Sequence, residues 1–170
     1  MNFCFVKLKR IAFLALFGLI MAGCFIGYFN SAQAEYVKVV DGDSLEIGAR
    51  RIRLLGIDAP EYKQYCFTQD KQKYDCGREA KRYLYELLKR QNYQLDCRKQ
   101  KYDRYDRELA VCFSGGQNLN LAMIEAGWAV AYRTHKQAYL AAEKQAKQAK
   151  VGVWQGKFMR PEYYRRLNRQ

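Results

Sequence analysis

Between Tyr36 and Glu61 short apolar runs alternate with turn residues so closely that only short, paired strands fit. Tyr36-Val37-Lys38-Val39-Val40 reads as a strand, and Asp41-Gly42 as the turn that ends it. Ser44 to Ile47 reads as a second strand, followed by a turn at Gly48-Ala49. In Arg51-Ile52-Arg53-Leu54-Leu55-Gly56-Ile57, apolar Ile52 and Leu54 alternate with two arginines, which is the period of a third strand with one buried face. Ala59-Pro60 ends it, because proline has no N–H to give to a ladder. The same stretch leaves Asp41, Asp43, Asp58 and Glu61 at strand ends and turns.

Further along, residues 62–76 read as a polar loop. Ala80, Tyr83, Leu84, Leu87 and Leu88 recur at helical spacing and predict an amphipathic helix over 78–91. Tyr93 to Cys97 and Leu109 to Phe113 read as two more strands, joined by the charged segment 98–107, and Gly115-Gly116 ends the second. Leu119 to Ala126 reads as a short helix stopped by Gly127. An alanine- and lysine-rich helix covers about 137–150 and stops near Gly152. Five strands and three helices in this order define an α+β chain compatible with a small closed barrel of the OB type. Pattern alone does not decide between that barrel and another α+β fold.

Residues 1–34 read differently from the rest. Lys7, Lys9 and Arg10 precede an apolar run from Ile11 to Phe29, and Asn30-Ser31-Ala32-Gln33-Ala34 follows. A basic start, an apolar middle and a small-x-small end predict a secretory signal peptide cleaved after Ala34. The run is also long enough to stay as an uncleaved membrane anchor, and Met21-Ala22-Gly23-Cys24 offers a lipidation site at Cys24. All three readings export residues 35–170, as a secreted, periplasmic or membrane-anchored domain. That length suits one domain with a modest core, expected to be a monomer.

Export gives the cysteines a meaning. Cys66, Cys76, Cys97 and Cys112 fall in the exported part, and four cysteines allow three pairings. Cys66 and Cys76 flank one short segment, while Cys97 and Cys112 sit on two strand-like runs, so local pairing is preferred in each case. A zinc site would want Cys-x-x-Cys or histidine partners, and neither is present. The chain carries a formal net charge of +13, with fourteen tyrosines among the basic residues. Such an excess points to a polyanionic partner, most often nucleic acid, with rings available to stack on bases.

Carboxylates hold hard divalent cations through oxygen, and guanidinium groups fork onto phosphate oxygens. Asp43 and Asp58 end neighbouring strands and are candidates for the first task; Arg53 and Arg107 are candidates for the second. Each has a plainer reading. Asp41-Gly42-Asp43 alone is a turn signal, Arg53 could pair with Glu46 across a hairpin, and Arg107 could pair with Asp103 or Asp106. The only histidine, His135, excludes chemistry that needs two imidazoles, and there is no Gly-x-Ser-x-Gly elbow or phosphate-binding P-loop. A hydrolase built from these residues has to use carboxylates, arginines, a metal and water.

From about Tyr36 to Trp154 the ordered strings VDGDS, RLLGIDAPE, CGREAK, YDRYDRELA, LNLAMIEAGWAVAY and AEKQAKQAKVGVW resemble the staphylococcal nuclease (thermonuclease) family, in its exported branch with paired cysteines. The resemblance implies an OB-fold barrel with helices and a Ca2+-dependent nuclease acting on DNA and RNA and leaving 3′-phosphates. It places Asp43, Asp58 and the Ala59 carbonyl on the metal and Asp41 behind them. Arg53 and Arg107 fall on the phosphate-binding positions, and Glu61 on the residue that handles the attacking water. Arg104, Tyr105 and Tyr132 lie near where the family grips the nucleotide. Three positions depart from the pattern: Ser44 and Ala59 replace threonines, and Asp106 stands where glycine is usual. The glycine permits positive φ, and an aspartate beside Arg107 adds negative charge, so reduced activity is expected. Two rival readings are a catalytically inactive nucleic-acid-binding module and an envelope protein that binds acidic polysaccharide.

Overall fold

The computed structural model describes residues 36–168, which belong to one compact unit, Glu35–Gln170. The expected leader lies outside the described residues. Three strands, β1 (Val37–Asp41), β2 (Ser44–Ile47) and β3 (Arg50–Leu54), form the antiparallel meander that the turn spacing requires. β7 (Asp96–Tyr102) and β8 (Glu108–Ser114) form a second antiparallel pair. The two parts join where β8 lies parallel to β3, with Arg53 opposite Leu109. The resulting order β1-β2-β3-β8-β7, extended by β9 (Gln117–Asn118), is an OB-type Greek-key arrangement. Among the described residues no hydrogen-bonded ladder joins β7 to β1, the seam at which an OB barrel closes.

Alternation on the sheet decides which side chains face inward. Leu45, Ile52, Leu54 and Ala110 are buried on one face, and α1 (Cys76–Arg90) covers them with Ala80, Leu84, Leu87 and Leu88. Burial of a side chain such as Leu84 contributes about 1.5–3 kcal/mol. α2 (Leu119–Glu125) adds Leu119, Met123 and Ile124 to the same core, and α3 (Gln137–Ala149) packs beside it through Tyr139 and Ala142. β4 (Ile57–Asp58) pairs with β10 (Val130–Ala131), placing Asp58 opposite Val130.

Several expectations need correction. The expected polar loop 62–76 contains β5 (Cys66–Thr68) and β6 (Lys73–Tyr74), which form a small sheet with β11 (Gly156–Lys157). Their outward side chains give no apolar alternation, which is why they read as loop. The strand expected over Tyr93–Cys97 is shifted to β7 and runs through half of the charged segment 98–107, since it is an exposed outer strand. The described residues hold four helices, not three. The fourth, α4 (Pro161–Leu167), buries only Pro161 and so shows no apolar period. Both cysteine pairs form disulfides, Cys66–Cys76 and Cys97–Cys112, with Cα separations of 5.6 and 4.1 Å. No helix among the described residues is long and apolar enough to cross a membrane.

Candidate functional site

The β1–β2 turn carries Asp41 and Asp43, and it is held against the segment after β4 by close packing at Gly42. A Cβ at Gly42 would lie 2.7 Å from the Ala59 Cβ and 2.8 Å from the Ala80 Cβ, so no larger residue fits between them. This approach lets the Ala59 N–H donate to Asp43 Oδ2 at 3.0 Å, while the Ser44 hydroxyl donates to Oδ1 at 2.9 Å. Asp43 and Asp58 are both buried. Arg53, projecting from β3, bridges them: Nη1 donates to Asp43 Oδ1 at 2.8 Å and Nη2 to Asp58 Oδ1 at 2.6 Å. Glu46, the plainer partner for Arg53, is taken by Lys38.

Glu61 follows on a turn anchored by a residue that sequence reasoning passed over. Gln64 is fully buried; its Oε1 accepts the Glu61 N–H at 3.2 Å and its Nε2 donates to the Met159 carbonyl at 2.7 Å. Gly77, at the start of α1, lies so close that a Cβ there would fall 1.8 Å from the Glu61 carbonyl oxygen. Arg165 of α4 was also missed, and it enters the same centre. Its Nη1 donates to Asp58 Oδ1 at 2.8 Å and Glu61 Oε1 at 2.7 Å, and its Nη2 to Asp58 Oδ2 at 3.0 Å. The one available signal was Pro161, a residue favoured at the first turn of a helix.

Asp41, Arg53, Glu61, Arg104, Tyr105, Arg107 and Tyr132 all line a single cleft of about 1090 Å³, together with Arg133, Arg165 and Arg166. Asp43 and Asp58 do not line it; they connect to it through Arg53. Arg107 is held by Asp103, whose Oδ2 accepts Nε at 2.9 Å and Nη2 at 2.7 Å. Tyr105 is exposed, with the Arg104 guanidinium 4.8 Å from its ring centre. Tyr132 is fixed by its own N–H, which donates to the Gly56 carbonyl at 2.9 Å. His135 is exposed and stands outside the lining.

The electrostatics of this centre are unbalanced. Four carboxylates, Asp41, Asp43, Asp58 and Glu61, meet two guanidinium groups, leaving negative charge in excess. Burial, and then the charge of Asp43, push the Asp41 carboxyl up to about 7. Burial also raises Asp58, against the pull of its Arg165 hydrogen bonds. Burial opposes the charge of Arg53, but Asp43 and Asp58 outweigh it and raise its value. An all-oxygen donor set with surplus negative charge fits a hard divalent cation better than a soft one. Among the described residues no three acidic, histidine or cysteine side chains form a ready-made cage, and Arg53 and Arg165 engage the Asp58 oxygens.

The sequence model of the staphylococcal nuclease homologue family matches residues 51–156. The chain belongs to that family. The match takes in Arg53, Asp58, Glu61 and Arg107, and the staphylococcal nuclease homologue fold agrees with the OB-type strand order. A protein named "Succinoglycan biosynthesis protein ExoI" from Rhizobium meliloti is 35% identical over 119 residues, covering 69% of this chain and 62% of its own length. One named "Uncharacterized endonuclease" from Haemophilus influenzae is 38% identical over 125 residues, covering 69% and 64%. "Protein ParB" from Escherichia coli is 30% identical over 139 residues, covering 72% of each. The chain thus spans a little under two thirds of the length of the first two of these relatives.

Proposed function

We propose that this protein is a Ca2+-dependent nuclease that hydrolyses phosphodiester bonds of DNA and RNA with little sequence preference. The observation that carries the reading is the convergence of Arg53, Glu61 and Arg107 on one cleft above two buried aspartates. In this reading a water attacks phosphorus in line. Glu61 orients that water and takes its proton, while Arg53 and Arg107 stabilise charge growing on the equatorial oxygens. The 5′-oxygen leaves, so the products carry 3′-phosphates. Asp43, Asp58 and the Ala59 carbonyl, backed by Asp41, would hold calcium, which supplies further positive charge at the phosphate. Arg104, Tyr105 and Tyr132 grip the nucleotide from the cleft wall. The relative named an endonuclease supports the class of reaction.

The two disulfides support folding in an oxidising compartment, in keeping with export and removal of a leader after Ala34. A second reading, an envelope protein associated with acidic polysaccharide, draws on the relative named for succinoglycan biosynthesis. Digestion of plasmid DNA and RNA with calcium, then with a chelator, separates the two. Cleavage that stops on chelation is expected. Cleavage that persists overturns the metal assignment, and nucleic-acid binding without cleavage overturns the enzymatic reading.

A further inference from the structure

α4 lies beyond residues 51–156, the stretch matched by the family model, yet it sends one side chain into the acidic centre. Arg165 is 23% exposed where its neighbour Arg166 is 68% exposed, so the two arginines of this helix have different tasks. Between them Arg53 and Arg165 occupy both oxygens of Asp58, and Arg165 also takes Glu61 Oε1. A divalent cation ligated by Asp58 needs the same oxygen lone pairs. It would also stand within a few ångströms of the Arg165 charge, where two cations repel strongly.

The helix is fastened lightly. Its only buried residue is Pro161; outside the site the Tyr164 hydroxyl donates to the Lys63 carbonyl at 3.2 Å, Glu162 pairs with exposed Arg133 at 3.7 Å, and at the N-cap Arg160 donates to the Ala131 carbonyl at 3.3 Å and stands 3.9 Å from Glu143. Neither disulfide and none of the main core lies in it. α4 can therefore be displaced without opening the fold.

We infer that Arg165 is a positioning residue of the site: it holds Asp58 and Glu61 in place as a stand-in for the metal's charge, and a divalent cation must displace it. The inference rests on the calcium reading above. It makes metal binding a competition between a mobile ion and a tethered guanidinium. The protein without metal thereby keeps its acidic centre ordered, and α4 moves off when calcium enters.

The test compares the full-length protein with its Arg165→Met and Arg165→Lys variants. Calcium affinity is read by calorimetry, and terbium affinity by luminescence, with no nucleic acid present. Arg165→Met is expected to bind calcium about tenfold more tightly, because the competitor is gone. Arg165→Lys, which keeps the charge without the fork, should fall between the two. A role in packing alone would leave affinity unchanged or weaken it. Equal affinity in all three proteins, or weaker binding by Arg165→Met, overturns the inference while leaving the calcium reading standing. If none of the three binds calcium or terbium, the metal reading falls and the competition falls with it.

Discussion

At Asp106 the backbone adopts φ of +60°, the left-handed conformation that glycine accepts most readily. The turn is closed around it by Asp103, whose carbonyl accepts the Asp106 N–H at 3.1 Å and whose Oδ1 accepts the N–H groups of Tyr105 and Arg107. Asp106→Gly should gain roughly 0.5–1 kcal/mol, the relief of the left-handed penalty less the entropy glycine adds to the unfolded chain. It should also raise kcat/KM on DNA several-fold by removing a negative charge beside Arg107. Asp106→Asn separates the causes: a gain in rate without a gain in melting temperature identifies charge. Asp103 acts in the opposite sense. Burial pushes its carboxyl up, but the N–H and guanidinium of Arg107 win and hold it below the usual 3.8. A depressed carboxyl stabilises the fold above 3.8, and that stability is lost as pH falls through the lower folded value. Asp103→Asn keeps an Oδ1 acceptor for the turn but loses the ion pair, at a cost of about 1 kcal/mol at neutral pH. Its melting temperature should lie below that of the wild type at pH 7 and converge with it at acid pH. A gap that stays constant down to pH 2 would show that the pair contributes nothing.

Which elements were legible in the sequence follows from where their side chains point. β2 is legible to the residue because turns at Asp41-Gly42 and Gly48-Ala49 bound it, and α1, α2 and α3 to within a residue or two because each buries residues at helical spacing. β5, β6 and α4 were missed because they bury almost nothing, and the pairing of β3 with β8 is a long-range contact that no local pattern encodes. The same rule governs the site. Asp43, Arg53, Asp58 and Glu61 sit on readable strand ends, whereas Arg165 reaches Asp58 across more than a hundred residues of chain. Buried polar residues inside elements were equally silent. Asn120, in α2, is fully buried; it accepts the Cys112 N–H at 3.0 Å and donates to the carbonyls of Leu55 at 3.0 Å and Ala110 at 3.1 Å. It thereby ties the helix to β8 and to the segment after β3. Asn120→Ala would take this partner from the Cys112 N–H and the Leu55 carbonyl, while the Ala110 carbonyl keeps the Leu55 N–H at 2.8 Å. Losing at least one such partner costs about 1–3 kcal/mol, so a loss at the upper end of that range or beyond is expected in denaturant melts. A change under 0.5 kcal/mol would mean that water replaces the side chain.

For the whole molecule the deciding quantity is how much of the positive charge remains for a partner. The formal net charge is +13, but the cations nearest the acidic centre are already engaged: Arg53 with two aspartates, Arg165 with Asp58 and Glu61, Arg107 with Asp103. Arg51, Lys101, Arg104, Arg133 and Arg166 line the outer cleft, where among the described residues their ion pairs to acids are absent or loose; the Glu162 pairs are 3.7 and 3.9 Å long. About four phosphate contacts from these residues would give a slope near −3.6 for duplex DNA in log K against log salt. Affinity should then drop roughly a hundredfold between 50 and 200 mM salt, measured by fluorescence anisotropy in chelator so that the probe stays intact. Backbone contacts carry no base information, so oligonucleotides of unlike sequence should share that slope and bind within a few-fold of each other. A slope near zero would mean that the surplus charge is spread over the surface and not gathered at the cleft. A steeper slope, near −6, would require the inner arginines Arg53, Arg107 and Arg165 to leave their carboxylates for phosphate as well, and for Arg53 and Arg165 that is the rearrangement calcium binding at Asp43 and Asp58 would itself favour.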